Sequence, residues 1–243
     1  LLQAQQKLNE AASTMGDRYA VVNPAANAGL VEGMKGFFNP TGTISRQFKS
    51  GMMGEGVLGY DEVAMSQSIN TFTTGSRSLT DTILVNGAVS TQGATTISID
   101  GGTGSATVVV GDVFTIANVY AVNPQTRQST GSLQQFVVTA ANTASGGAWT
   151  SIAVSPAMYT SAHALATINA FPADNAAVTF LGTASTVYPQ NLAFQKNAIT
   201  FATADLLLPQ GVDMASRQVH NGISMRIVRQ YDINNDRMPC RLD

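Results

Sequence analysis

Gly111-Asp112-Val113-Phe114-Thr115-Ile116-Ala117-Asn118-Val119-Tyr120 is the stretch that decides the class of fold. A Gly-Asp turn opens it, and the β-branched and aromatic residues that follow suit a pleated strand. It belongs to a series. Upstream, Ile97 and Ile99 alternate with polar neighbours before Gly101-Gly102-Thr103-Gly104, and Val108-Val109-Val110 runs into the same turn. Downstream, 136–139, 149–154 and 178–180 read as strands separated by Asn-Pro, Ser-Thr-Gly and Ser-Gly-Gly punctuation. Short strands at regular spacing with turn signals predict an antiparallel sandwich or barrel.

Charge sets this region apart. From 79 to 178 the only charged residues are Asp81, Asp100, Asp112, Arg127 and Asp174, whereas the other 143 residues carry twenty-three charges. The sequence therefore reads as a nearly neutral β-rich module, 79–182, set between two ordinary flanks, 1–78 and 183–243. The formal charge of -2 gives no electrostatic footprint for sequence-independent nucleic-acid binding. Cys240 is the only cysteine, which excludes an intrachain disulfide framework, and it is expected to be an inert packed thiol. No run of eighteen apolar residues occurs, so no transmembrane helix is predicted. The opening Leu-Leu-Gln-Ala-Gln-Gln has neither a start Met nor a signal-peptide layout, and the chain is read as the later part of a larger protein.

The flanks carry helix signals. Leu1, Ala4, Leu8 and Ala11 fall at helical spacing, with the pattern ending near Gly16-Asp17. Tyr19-Ala20-Val21-Val22 reads as a buried strand. Asn23-Pro24 is a helix start, leading to Leu30, Val31 and Met34 on one face and an end at Gly36. A short helix is predicted over 44–49 with Gly51 as its cap. Helix is also expected over 192–206, stopping at Pro209. Over 222–231, Ile223, Met225 and Ile227 alternate with Ser224 and Arg226, a strand with one buried face.

The catalytic inventory is empty. Gly54-Glu55-Gly56-Val57-Leu58-Gly59 matches G-x-G-x-x-G, but a helix end precedes it where a phosphate cradle needs a strand, so a flexible loop is expected. Asp232, Asn234, Asp236 and Asp243 imitate a calcium loop, yet Arg237 stands where the sharp turn requires Gly, and a polar hairpin turn is expected. His163 and His220 have no metal-ligand partners at useful spacing and no nucleophile beside them. Asp61-Glu62 and Asp205 sit in ordinary helix or loop contexts. No catalytic, cofactor-binding or metal residue is assigned, no cofactor is expected, and the chain is not read as an enzyme. The candidate inter-subunit contacts are Arg127, isolated in the neutral module, and Arg229 in the basic final flank. Arg226 and Arg229 are an odd number of positions apart, so on a strand they face opposite sides.

Several stretches resemble the coat proteins of short-tailed phages of the Salmonella phage P22 type. They are Tyr188-Pro189-Gln190-Asn191-Leu192-Ala193-Phe194-Gln195-Lys196, Ala202-Thr203-Ala204-Asp205-Leu206, Gly211-Val212-Asp213-Met214-Ala215 and Ile227-Val228-Arg229-Gln230-Tyr231-Asp232-Ile233-Asn234. Gly111-Asp112-Val113-Phe114-Thr115-Ile116, followed by Ala121-Val122-Asn123-Pro124 and Ser129-Thr130-Gly131, is similar to that family's insertion domain. Leu8-Asn9-Glu10, Asn23-Pro24-Ala25-Ala26 and Gly36-Phe37-Phe38-Asn39 are similar to the stretch before it.

The resemblance implies an α+β fold: the tailed-phage capsid fold of the Hong Kong ninety-seven type, with axial and peripheral portions, interrupted by a six-stranded antiparallel β-barrel insertion domain. It implies an N-terminal arm, a spine helix and an extended hairpin loop, none of which is found before Leu1. The implied function is a major capsid subunit that self-assembles into an icosahedral shell around double-stranded DNA. Its implied partners are copies of itself, a scaffolding protein, a portal and packaged DNA without sequence-specific binding, with no membrane; assembly would take place in the host bacterial cytoplasm. Within such a shell the loop 123–131 is expected to offer Arg127 to neighbouring capsomers. The alternative reading of the composition is a bacterial β-rich surface or adhesion domain, which predicts an export signal upstream.

Overall fold

The computed structural model describes residues 1–34, 50–51, 53–77 and 82–243. The helix expected over 44–49, the end at Gly36, the Gly36-Phe37-Phe38-Asn39 stretch and the Leu79 boundary lie outside the described residues. Along the chain come α1 (Leu2–Glu10), β1 (Arg18–Val22), α2 (Pro24–Met34), β2 (Gly54–Val57), β3 (Tyr60–Met65), β4 (Thr71–Thr73), β5 (Leu84–Val85) and β6 (Ala94–Asp100). There follow β7 (Thr107–Val108), β8 (Val113–Val122), β9 (Ser129–Val138), β10 (Asn142–Thr143), β11 (Trp149–Met158), β12 (Val178–Phe180), β13 (Val187–Pro189) and β14 (Leu192–Gln195). The last three strands are β15 (Met214–His220), β16 (Ile223–Arg229) and β17 (Cys240–Leu242). Strand outweighs helix among the described residues, and no described helix is long and apolar enough to cross a membrane. The chain divides into a unit of Leu1–Lys196 and a unit of Asn197–Asp243.

The neutral region builds a barrel. Its six-stranded sheet runs β12-β8-β9-β11-β6-β5. The two ends of that order meet: Leu84 bridges Ala177, Val85 N-H donates to Ala176 O at 2.9 Å, and Val178 N-H donates to Ile83 O at 2.9 Å. Such closure needs strands that bend. β8 slips register between Thr115 and Tyr120, where Asn118 takes φ 65°, and β11 slips between Trp149 and Ile152, where Ser151 takes φ 57°. Both are bulges, which increase local twist and curvature. Inside lie Ile97, Ile99, Phe114, Ile116, Phe136, Val138, Trp149 and Ile152, all buried. Trp149 donates its indole N-H to Ala106 O at 3.1 Å, and its ring lies against Gly102, where a Cβ would come within 2.2 Å of it. Only glycine fits there.

A second core belongs to a four-stranded sheet, β14-β1-β3-β2, on which α1 and α2 pack. Ala20, Val22, Val57, Tyr60 and Val63 are buried in it, and Leu8, Leu30, Val31 and Met34 rest against them. The Asn23 side chain accepts from Ala26 N-H at 3.0 Å, the cap that its place before Pro24 predicts. α1 stops at Glu10, short of Gly16-Asp17, because the next turns wrap a buried arginine. Arg18 donates to Thr14 O at 2.8 Å, Ser13 O at 2.7 Å and Asn9 Oδ1 at 2.7 Å.

Three local expectations are corrected. Residues 192–206 do not form the expected helix: Leu192–Gln195 pairs antiparallel with β1 from Val21 to Arg18, Lys196–Ala198 makes a single 3-10 turn, and 199–209 carry neither helix nor strand. The open side of β1 is satisfied by this distant segment, and that pairing overrides local periodicity. Gly54-Glu55-Gly56-Val57 is a strand, not a flexible loop; it turns through Leu58 and Gly59, both at positive φ, into β3. Asp61 and Glu62 therefore lie on a strand, where Asp61 Oδ2 accepts Arg18 N-H at 2.8 Å.

β4 and β13 pair as a two-stranded stem between the four-stranded sheet and the barrel. The junction of stem and barrel is dense. Thr74 Oγ1 donates to Thr183 O at 2.6 Å and accepts Thr186 N-H at 3.1 Å. Gly75 passes so close to the barrel that a Cβ would lie 2.1 Å from Thr107 O.

Candidate functional site

The described residues contain no cluster of acidic, histidine or cysteine side chains able to hold a metal. His163 stacks on Tyr159 with centroids 4.4 Å apart and accepts Leu165 N-H at Nδ1, a local structural use. The pseudo-calcium stretch is a turn: Asp232 bridges Arg237, and Asp232 accepts from Asn234 and Asn235. What the molecule does offer is surface, together with one polar centre that sequence reasoning missed.

That centre is Asp112, the residue of the opening turn. It is fully buried, and its partner Arg77 is 2% exposed, with Nη1 2.8 Å from Oδ1. Asp112 Oδ2 also accepts Val109 N-H at 2.9 Å and Gly75 N-H at 3.2 Å. Arg77 donates from Nη2 to Leu181 O at 3.0 Å and lies 4.4 Å over the Phe180 ring. One carboxylate thus ties the segment entering the barrel to the barrel's own turn, while its arginine partner holds the segment that leaves it.

Arg127 stands at φ 56° in the exposed turn between β8 and β9. Asn123 shapes this turn by accepting Gln125 N-H at 2.9 Å and Thr126 N-H at 3.1 Å. The base of the same hairpin touches α1: Asn123 Nδ2 donates to Glu10 O at 3.1 Å and Ser132 Oγ to Glu10 Oε1 at 2.9 Å. Partial burial pushes the Glu10 carboxyl up, but hydrogen bonds from Gln6, Lys7 and Ser132 outweigh it and hold it below its ordinary 4.5. A depressed folded-state value stabilises the contact above the ordinary value and releases it as pH falls through the folded one. In an NMR titration the Glu10 carboxyl is therefore expected to titrate below pH 4.5, moving the Ser132 amide with it; titration at or above that value would contradict the contact.

In the second unit, the β15-β16-β17 sheet has two unlike faces. Directly paired residues share a face, so Met214, Ile223, Met225, Ile227 and Leu242 line one side with Arg229, His220 and Cys240. The other side carries Arg217, Arg226 and Arg241. Arg217 and Arg226 are cross-strand partners, a repulsive pairing that is offset: Arg226 Nε donates to Asp243 at 3.0 Å, Arg217 approaches Asp205 at 3.7 Å and donates to Leu206 O at 3.2 Å. Two expectations change here. The apolar face is not buried within the chain, since Met225 is 50% and Leu242 65% exposed, and Cys240 is an exposed thiol instead of a packed one. The unit of 47 residues contains no buried residue at all, so nothing within it can cover that face. Arg229 opposes Arg226 as its spacing requires and pairs with Asp213 at 2.7 Å. The hairpin that brings the arginines together turns at Asn221-Gly222, both at positive φ. That dipeptide is a strong hairpin signal, and reading it would have found β15.

The sequence profile of the family described as P22 coat protein - gene protein 5 matches residues 3–243. The chain belongs to the P22 coat protein family. It is a structural subunit of a phage coat. Among solved structures, the P22-family chain is 28% identical to the CUS-3 coat protein I-domain, over 42% of this chain and 96% of that one, with a TM-score of 0.31. No curated protein matches.

Proposed function

We propose that this P22-family coat subunit assembles with copies of itself into an icosahedral shell around phage double-stranded DNA, on a capsid fold of the Hong Kong ninety-seven type interrupted by the barrel over 79–182. The family match across residues 3–243 is the observation that carries this reading. A coat works through area: individually weak contacts, repeated by symmetry, bind cumulatively. The exposed apolar face of β15–β17 is compatible with that role. A scaffolding protein and a portal would be its assembly partners in the bacterial cytoplasm, and DNA would be enclosed without sequence-specific contact.

The contact residues proposed are Arg127, which the β8–β9 turn holds out into solvent, and Arg229, which would reach a neighbour together with Asp213. Arg127→Ala in the full reading frame, co-expressed with its neighbours, is expected to lower the yield of particles without changing the melting of the free subunit. Wild-type yield would remove Arg127 from the interface. The reading as a whole is tested by negative-stain microscopy of the same co-expression: shells of uniform diameter are expected, and dispersed monomers would refute it.

A further inference from the structure

The barrel is attached to the rest of its unit in two very different ways. On the stem side the attachment is buried and multiply bonded through Asp112, Arg77 and Thr74. On the α1 side two hydrogen bonds reach Glu10 among the described residues, both at partly exposed atoms. Beside them an open cleft of about 400 Å³ separates Lys7 and Ala11 from Val122, Leu133 and Pro156. The two chain segments leading from the four-stranded sheet into the stem, 66–70 and 190–191, have no regular structure.

The geometry points to a latched swinging arm: barrel and stem move as one piece on the paired segments 66–70 and 190–191, and Glu10 is the latch. Buried, multiply bonded junctions open last, whereas exposed contacts beside unfilled space open first. The Asp112 lock makes the arm stiff. Asn23 N-H, donating to Asn191 Oδ1 at 2.8 Å, marks the fixed side of the hinge. The closed state is retained by the hydrogen bonds from Ser132 and Asn123, and release would carry the Arg127 turn away from α1. This goes beyond the assembly reading and does not depend on it, because the motion belongs to the free subunit.

The test is a pulsed electron-electron distance measurement on the whole 243-residue chain, with spin labels at Gln3→Cys and Gln128→Cys in a Cys240→Ser background. Both label sites are exposed. One narrow distribution is expected for the parent. Glu10→Ala is expected to raise a longer-distance population about tenfold, the effect of losing one hydrogen bond to a charged group, and Glu10→Gln, which keeps a neutral acceptor, should give a smaller rise than Glu10→Ala. Ser132→Ala gives an independent reading from the barrel side and should reproduce the Glu10→Ala shift even if that variant frays α1. Parent-like distances in both Glu10→Ala and Ser132→Ala would overturn the proposal, as would a longer distance that appears only when Trp149 fluorescence reports a melted barrel.

Discussion

Arg77→Ala is expected to destabilise the barrel by about 3–5 kcal/mol, the range for removing one partner of a buried ion pair. The loss is larger than that of a surface pair because Asp112, fully buried, would be left without its counter-ion. Gly75 and Val109 N-H groups would remain as donors to it, but neutral donors do not replace a guanidinium. The variant also strips the cation from the Phe180 ring. Trp149 is the only tryptophan and sits in the barrel core, so its fluorescence during urea unfolding isolates this module from the rest of the chain. A midpoint within error of the parent would show that the pair contributes nothing net. The double replacement Arg77→Met with Asp112→Leu should cost less than Arg77→Ala alone, because it leaves no uncompensated charge.

Phe114→Ala is the second large effect, about 3–5 kcal/mol for an aromatic deleted from a filled core. Phe114 is fully buried, and its ring lies 5.8 Å from Phe136 and 5.2 Å from Phe180. Phe180 also faces Arg77, so the two sites share a neighbour and their effects should not add. In a cycle of Phe114→Ala, Arg77→Ala and the double variant, a coupling of at least about 0.5 kcal/mol is expected. Strict additivity would mean that Phe180 does not transmit between the core and the ion pair.

Legibility in the sequence followed the range of the interactions involved. Ile97 with Ile99, the run from Val113, and Asn23 before Pro24 are governed by neighbours within a few positions, and each formed the element its pattern implied. The segment from Leu192 did not, because its strand exists through pairing with β1 across the chain, from Arg18 opposite Gln195 to Val21 opposite Leu192. Arg77 lies in a Thr and Ser-rich stretch that looks solvent-facing, and its partner is 35 residues away. Nothing local marks it as buried. Cys240 was misjudged for the opposite reason: a small apolar residue is usually inside, but the sheet that carries it has no interior of its own. Arg127 and Arg229 are proposed as contacts from charge alone. The shared face of Arg217, Arg226 and Arg241 required the register of a hairpin.

The meeting of Leu84 with Ala177 has a consequence for life in a crowd. A sheet that ends in an unpaired row of N-H and C=O groups is a template on which another chain can add a strand, and addition of that kind has no natural stopping size. Coat subunits must be produced in quantity and brought together at high local concentration, where runaway fibre growth would compete with any closed particle. By spending those groups on its own first and last strands, the barrel denies them to its neighbours. Association through the barrel is left to side chains, whose geometry can specify where growth stops.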